Sequence, residues 1–339
     1  MFAVRMFRIS CLLLLLLAAA HGEELQKFVF EKPEMGVPFR VSLYAPNAEK
    51  AKAAADAAFA KVEQLNTIFS DYEDDSELSK LSRTSGSGAK VHLSDPLWTV
   101  LERAQQIAGQ SGGAFDVTCG PLTSVWRRAR RKFELPLPEL VAEMRERCGW
   151  KKLQLDPAAH TAELLTPQMR LDLGSLAKGY AVDAALRTVR EQGYPIALVA
   201  GSGDMAAGDP PPGRKGWRIE IVPLDAESGA KAPPSIVVEL AHAGIATSGD
   251  FFQRLETGGK RYSHILDMRT GQPLVDHALV SVIGPDCFTA SLSTTLCILG
   301  PEEGAKIAAK WNVVARWQRQ PAGNVEITTT PGWEKWVAP

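Results

Sequence analysis

Five short stretches of this chain set polar or charged residues beside glycine-bearing turns: Gly112 to Thr118, Asp172 to Asp183, Gly201 to Asp204, Ala246 to Asp250, and Ser263 to Pro273. The second is the most suggestive chemically. A strand ending at Asp172 and Leu173, a turn at Gly174 and a helix starting near Ser175 would aim free backbone N–H groups and a positive helix end at an anion. Lys178 would add a point charge. The order differs from a P-loop, which needs Gly-Lys-Ser/Thr. The alternative is a plain strand-to-helix turn with Lys178 in solvent. His264 would work near neutral pH if an acid such as Asp267 oriented it; a structural histidine bonded to backbone is the competing reading. Asp204 and Asp250 each follow a glycine, where aspartate also caps or closes turns without doing chemistry.

The elements that must carry these stretches follow from periodicity. Phe28 to Glu31 and Phe39 to Tyr44 alternate apolar and polar residues around Met35-Gly36-Val37-Pro38, which predicts two strands. Ala54, Ala58, Val62, Leu65 and Phe69 then fall at helical spacing, with Asn47 as N-cap and an end near Asn66. A second helix is signalled by Ser94 as cap, Pro96 in the first turn, a stripe of Leu97, Leu101, Ala104 and Ala108, and Gly109 as a stop. Beyond Leu171, short β-type runs (Ile196 to Val199, Trp217 to Val222, Ile236 to Leu240, Leu279 to Ile283) mix with helices but keep no strict βαβ rhythm. The fold class predicted is therefore α+β, mixed sheets with packed helices. Gly208 to Gly216 and Asp225 to Pro234 read as surface loops.

Residues 1–22 order Arg5 and Arg8, Cys11, an apolar run from Leu12 to Leu17, and small residues before Glu23. That order predicts a secretory signal peptide and an exported, periplasmic or otherwise extracytoplasmic chain from 23 to 339, soluble after cleavage. The run is about half the ~20 apolar residues that span a bilayer. The whole chain has 38 Lys and Arg against 39 Asp and Glu, and loss of Arg5 and Arg8 makes the remainder more acidic. Such a balance argues against a nucleic-acid partner. The basic run Arg127 to Lys132 reads as a solvated face, with anion or partner contact as the alternative. Cys119, Cys148, Cys287 and Cys297 match no zinc spacing, and one or two disulfides are open to them.

Taken in order, Met35-Gly36, Phe69 to Tyr72 leading into Asp75 to Leu78, Gly113 to Asp116, Asp172 to Asp183, Gly203-Asp204, Thr247 to Asp250 and His264 to Pro273 resemble the ApbE-type FAD:protein FMN transferases over roughly residues 28 to 330. The resemblance implies an ApbE-like fold. It also implies FAD and Mg2+ as substrate and cofactor, and transfer of FMN to a threonine of a target protein with release of AMP. By position, Met35, Tyr72, Ala114, Phe115, Asp116, Asp172, Lys178 and Ile265 look like the FAD contacts. Ser175 and Thr294 look like metal contacts, and His264 like the histidine near the reacting phosphate.

One position departs from that family's pattern. Where the resemblance calls for an aspartate four residues before Thr294, so that both oxygens share a helical face, this chain has Ala290. Mg2+ is a hard ion that seeks carboxylate oxygen, and alanine offers none. Ser175 and Ser202 also replace small residues and read as tolerated. Three functions follow: an FMN transferase whose metal is held by Ser175, Thr294, phosphate oxygens and water; a flavin-binding protein without turnover; or a Mg2+-dependent FAD pyrophosphatase. No acceptor motif of the Asp-Gly-x-Ser/Thr-Gly-Ala-Thr kind occurs in the chain, so the acceptor is expected to be another exported protein, soluble or membrane-associated.

Overall fold

A computed structural model describes residues 24–224, 233–250, 253–321 and 324–339. The predicted signal peptide and most of the predicted loop at 225–234 lie outside them. The frame is one antiparallel sheet of eight strands: β1 (Gln26–Glu34), β2 (Val37–Ala45), β3 (Ala197–Gly201), β4 (Asp204–Ala207), β5 (Ala243–Gly249), β6 (His277–Gly284), β7 (Val314–Gln320) and β8 (Glu326–Thr329). In space they lie side by side in the order in which the chain makes them. The sheet is therefore a meander whose long excursions leave from its two ends and return to the next strand.

Alternation along the strands serves two cores, because successive side chains point to opposite faces. Val199, Ala206, Ala246 and Val282 join the main core, while Ala207, Ile245 and Ile283 join a second one. The second core is closed by the hairpin of Trp217–Ile221 with Ile236–Leu240 and by Trp333. The main core is covered by helices, chiefly α1 (Ala48–Phe69), α3 (Asp95–Gln110) and α6 (Ala177–Glu191), which reach it from the long β2-to-β3 excursion. In that excursion lie also α2 (Glu77–Arg83), α4 (Gly120–Lys132) and α5 (Pro138–Glu146); between β6 and β7 come α7 (Cys287–Ala290) and α8 (Ser293–Lys310).

The α+β expectation holds, and so do its caps. Asn47 accepts from the Lys50 N–H at 3.0 Å at the start of α1, and Ser94 accepts from the Leu97 N–H at 3.5 Å at the start of α3. Two boundaries move. Helix α1 runs on to Phe69, since Leu65 and Phe69 continue its buried stripe, and α3 passes through Gly109 to Gln110. The four cysteines among the described residues are free thiols, three of them buried, so none of the disulfides left open by the sequence forms there. No helix among those residues is long and apolar enough to cross a membrane.

Candidate active site

Because alternate strands of a meander run in opposite directions, the β1–β2 turn, the β3–β4 turn and the end of β5 all lie at one end of the sheet. A cavity of about 800 Å³ opens there. The register pairs Glu34 with Val37 and Gly201 with Asp204, which leaves two-residue turns at Met35-Gly36 and Ser202-Gly203. Met35 takes φ 49° and Gly36 φ 75°, as the commonest tight hairpin turn requires. Holding a methionine in the left-handed region costs about 1 kcal/mol, and the turn brings Met35 to the cavity wall.

The start of α6 forms the cavity floor. Asp172 closes the preceding turn by accepting from the Gly174 N–H at 2.9 Å. Lys178 does not stand free for an anion: its Nζ lies 3.2 Å from Asp204 Oδ2 and donates to the Gly174 carbonyl at 3.1 Å. Asp204, foremost among its surroundings, raises the Lys178 pKa and keeps it charged. Gly179 allows α6 to lie against α7, since a Cβ there would fall 2.1 Å from Ser291 Oγ. On the next turn, Asp183 accepts from the Cys287 and Phe288 N–H groups at 3.0 and 2.7 Å. Burial raises its pKa to about 7 despite those bonds.

Helix α4 supplies a further wall, so the basic run Arg127 to Lys132 is a solvated face only in part. Cys119, Thr123, Trp126, Arg127 and Arg130 line the cavity at helical spacing, while Arg128, Arg131 and Lys132 are exposed. Arg127 bridges two acids, with Asp71 Oδ2 at 2.5 Å and Asp172 Oδ2 at 2.7 Å. Burial and then the nearby Asp172 push the Asp71 carboxyl up. The Arg127 guanidinium also lies 4.6 Å from the Tyr72 ring centre, so one face of Tyr72 is covered while the side chain as a whole is 74% exposed.

His264 is held differently from the expectation. Asp267 turns to its own loop and pairs with Arg269, and the His264 Nδ1 faces the Gln253 carbonyl at 3.1 Å instead. An N–H at Nδ1 donating to that carbonyl leaves Nε2 as the acceptor. Burial first, then the charge of Arg130, drives the His264 pKa down to about 4. The ring is thus neutral at neutral pH. Asp116 is buried, with its Oδ1 accepting from the Thr118 N–H at 2.8 Å, and burial pushes its carboxyl up.

Nine of the residues expected at the site therefore line this one cavity with His264: Met35, Tyr72, Phe115, Asp116, Asp172, Ser175, Lys178, Ile265 and Thr294. Ala114 does not; it is fully buried, and its carbonyl accepts from the Met268 N–H at 3.1 Å. Arg127, Arg130 and Gln253 were not among the expected site residues, and Ser248 stood only within the Ala246 to Asp250 stretch. The stripe at 119, 123, 126, 127 and 130 was a readable signal for the two arginines, but a run of basic residues masks which of them face inward.

The volume and the mixture of aromatic, apolar and charged walls suit a large flavin nucleotide. A resident magnesium fits less well. The side-chain hydrogen bond of Thr294 is to a hydroxyl: Ser248 Oγ lies 3.0 Å from Thr294 Oγ1 and 2.8 Å from Ser293 Oγ. Ala290 is fully buried in the main core and does not line the cavity. Among the described residues no group of three or more His, Cys, Asp or Glu side chains could hold a metal. Neutral hydroxyls already bonded to one another do not fit a hard divalent ion on their own.

Comparison with known proteins places this arrangement. Residues 35–317 match the ApbE family. The chain is 32% identical over 258 residues to the FAD:protein FMN transferase of Haemophilus influenzae, covering 74% of each. It is 31% identical over 293 residues to that of Chlamydia muridarum, covering 84% of this chain and 88% of the relative. Among solved structures, the flavin transferase ApbE from Vibrio cholerae superposes with a TM-score of 0.81 at 26% identity, over 92% of this chain and 100% of that one. The apo form of Pseudomonas stutzeri flavinyl transferase ApbE gives 0.78 at 28% identity, over 92% and 97%. With the family's pattern across most of its length and the family's fold beneath it, the chain belongs to the ApbE family.

Proposed function

We propose that residues 23–339 act as one unit that transfers the FMN part of FAD to a threonine hydroxyl of an exported protein and releases AMP. The observation that carries this reading is the convergence on one cavity of Met35, Tyr72, Asp116, Asp172, Lys178 and Ile265 with His264. They come from the β1–β2 turn, the β2-to-β3 excursion and the β5-to-β6 excursion, and no packing requirement of the cores calls for so many polar groups at one place.

The reaction forms a bond between the threonine Oγ and the FMN phosphorus and breaks the phosphoanhydride bond to AMP. The hydroxyl proton goes to His264 Nε2, which the Gln253 carbonyl leaves free to accept. Tyr72 stacks its open face on a flat ring of the nucleotide, and Met35 packs at the same end of the cavity. Lys178, kept charged by Asp204, stands on the phosphate side at the start of α6. Magnesium carried by the FAD diphosphate would supply neutralisation of phosphate charge. Ser175 and Thr294 present hydroxyls to that side of the cavity. Ala114 fixes the backbone of its segment through Met268 and touches nothing in the cavity.

The test is to incubate the purified chain with FAD, Mg2+ and candidate exported acceptors, soluble and membrane-associated, and to weigh the acceptor. A covalent FMN increment on a threonine is the expected result. FMN and AMP released equally with and without acceptor would identify a pyrophosphatase. FAD bound without any turnover would identify a flavin-binding protein.

A further inference from the structure

The charges around the cavity do not balance locally. Arg127 is shared by Asp71 and Asp172, and Lys178 is taken by Asp204. Arg130, one turn beyond Arg127 on α4, lines the same cavity and makes no hydrogen bond or ion pair with any described residue. It is half-buried. Burial lowers its pKa, and its cationic neighbours Arg127 and Arg131 press the same way, with no carboxylate acting on it. A guanidinium withdrawn from water without an acid beside it is destabilised until an anion arrives, and its planar fork matches phosphate oxygens two at a time.

The position of Arg130 says which part of a ligand it would meet. It is the charged group acting most strongly on His264, with Lys178 the next cation and Asp250 opposing them. Arg130, Lys178 and His264 all line this cavity, and of the two cations among them Lys178 already has Asp204 as its partner. The hydroxyls of Ser248, Ser293 and Thr294 bring no charge to the cavity, and Ala290 brings none. Resting on the reading that the cavity takes FAD, we propose that Arg130 contacts the diphosphate of the nucleotide and supplies part of its charge neutralisation, where no group of three or more His, Cys, Asp or Glu side chains among the described residues could hold a metal.

The experiment compares the natural chain with Arg130→Gln and Arg130→Lys, titrating FAD and riboflavin by flavin fluorescence in EDTA at low and high salt. A hydrogen bond to a charged group contributes about 1.5–3 kcal/mol. The glutamine variant should therefore bind FAD roughly 10- to 100-fold more weakly and riboflavin unchanged, and its FAD affinity should respond less to salt. Lysine should restore part of the loss, as a point charge without the fork. Unchanged FAD affinity in the glutamine variant overturns the proposal and leaves the cavity's flavin reading intact. Equal losses for FAD and riboflavin overturn it as well, placing Arg130 on the ring. A natural chain that binds neither flavin overturns both readings.

Discussion

Thr294 Oγ1 lies 3.0 Å from Ser248 Oγ, and the carbon chain one helical turn before it, at Ala290, ends in a methyl group sealed in the core. The hydroxyls satisfy each other where a carboxylate would have faced a cation. The junction is also uneven: α7 ends at Ala290, the Leu292 N–H bonds back only to Thr289, and α8 starts at Ser293. The single helix expected across 290 and 294 is therefore two helices joined by a tightened turn.

Ala290→Asp should lower the Mg2+ concentration needed for half-maximal turnover, because it adds a charged hard oxygen four residues before Thr294. In EDTA the same variant should be less stable than the natural chain, since a carboxylate at a fully buried position lacks a partner. Turnover and urea unfolding, each against Mg2+, measure the two effects. Superimposable Mg2+ curves for the two chains would show that position 290 has no bearing on the metal.

His264→Ala should cut turnover by about 10²- to 10⁴-fold while FAD affinity stays within a few-fold. The pH dependence follows from the lowered pKa. A base must be unprotonated to work, and with a pKa near 4 the ring is fully neutral above about pH 5. The free protein should therefore lose activity at this group only as pH falls toward 4, not through 6.5. An acid limb in kcat/KM centred near 6.5 would contradict the lowered pKa of this ring.

Tyr72→Ala should weaken FAD by about 2- to 10-fold, the range expected for one aromatic stacking contact, with Tyr72→Phe close to the natural chain. Stability should hardly change, because the side chain is mostly exposed and leans only on Arg127. Isothermal titration and thermal melts of the three proteins separate binding from folding. Loss of melting temperature in parallel with affinity would make Tyr72 a packing residue.

Gly179→Ala should destabilise the chain by about 1–3 kcal/mol, as overpacked cores do, since the new Cβ would meet Ser291 Oγ at 2.1 Å and the Cys287 carbonyl oxygen at 2.8 Å. Adding Ser291→Ala should recover part of the loss and no more, because the carbonyl stays in place. Urea midpoints for the single and double variants decide it. A single variant as stable as the natural chain would mean that α6 and α7 are less closely seated.

Periodicity made α1, α3 and several strands legible, because Ala54, Ala58, Val62 and the strand alternations report directly on burial. The order of the motifs made most of the cavity legible too, from Met35 to Thr294. What stayed hidden depends on distances that no spacing encodes. Asp267 sits three residues from His264 yet serves Arg269, while Gln253, eleven residues away, holds the ring. Arg127 and Arg130 differ from Arg128 and Arg131 only by their angle around α4. A basic run has the same composition whichever of its members turn inward.

The meander also fixes when this cavity can exist. Met35 comes from the β1–β2 hairpin, and Thr294 and Ile298 come from α8, which is made after the rest of the lining. A growing chain therefore passes through most of its length with nothing to hold a nucleotide, and ligand cannot guide the early steps of folding. The nucleotide can act only afterwards, by lengthening the lifetime of the finished protein against unfolding and proteolysis.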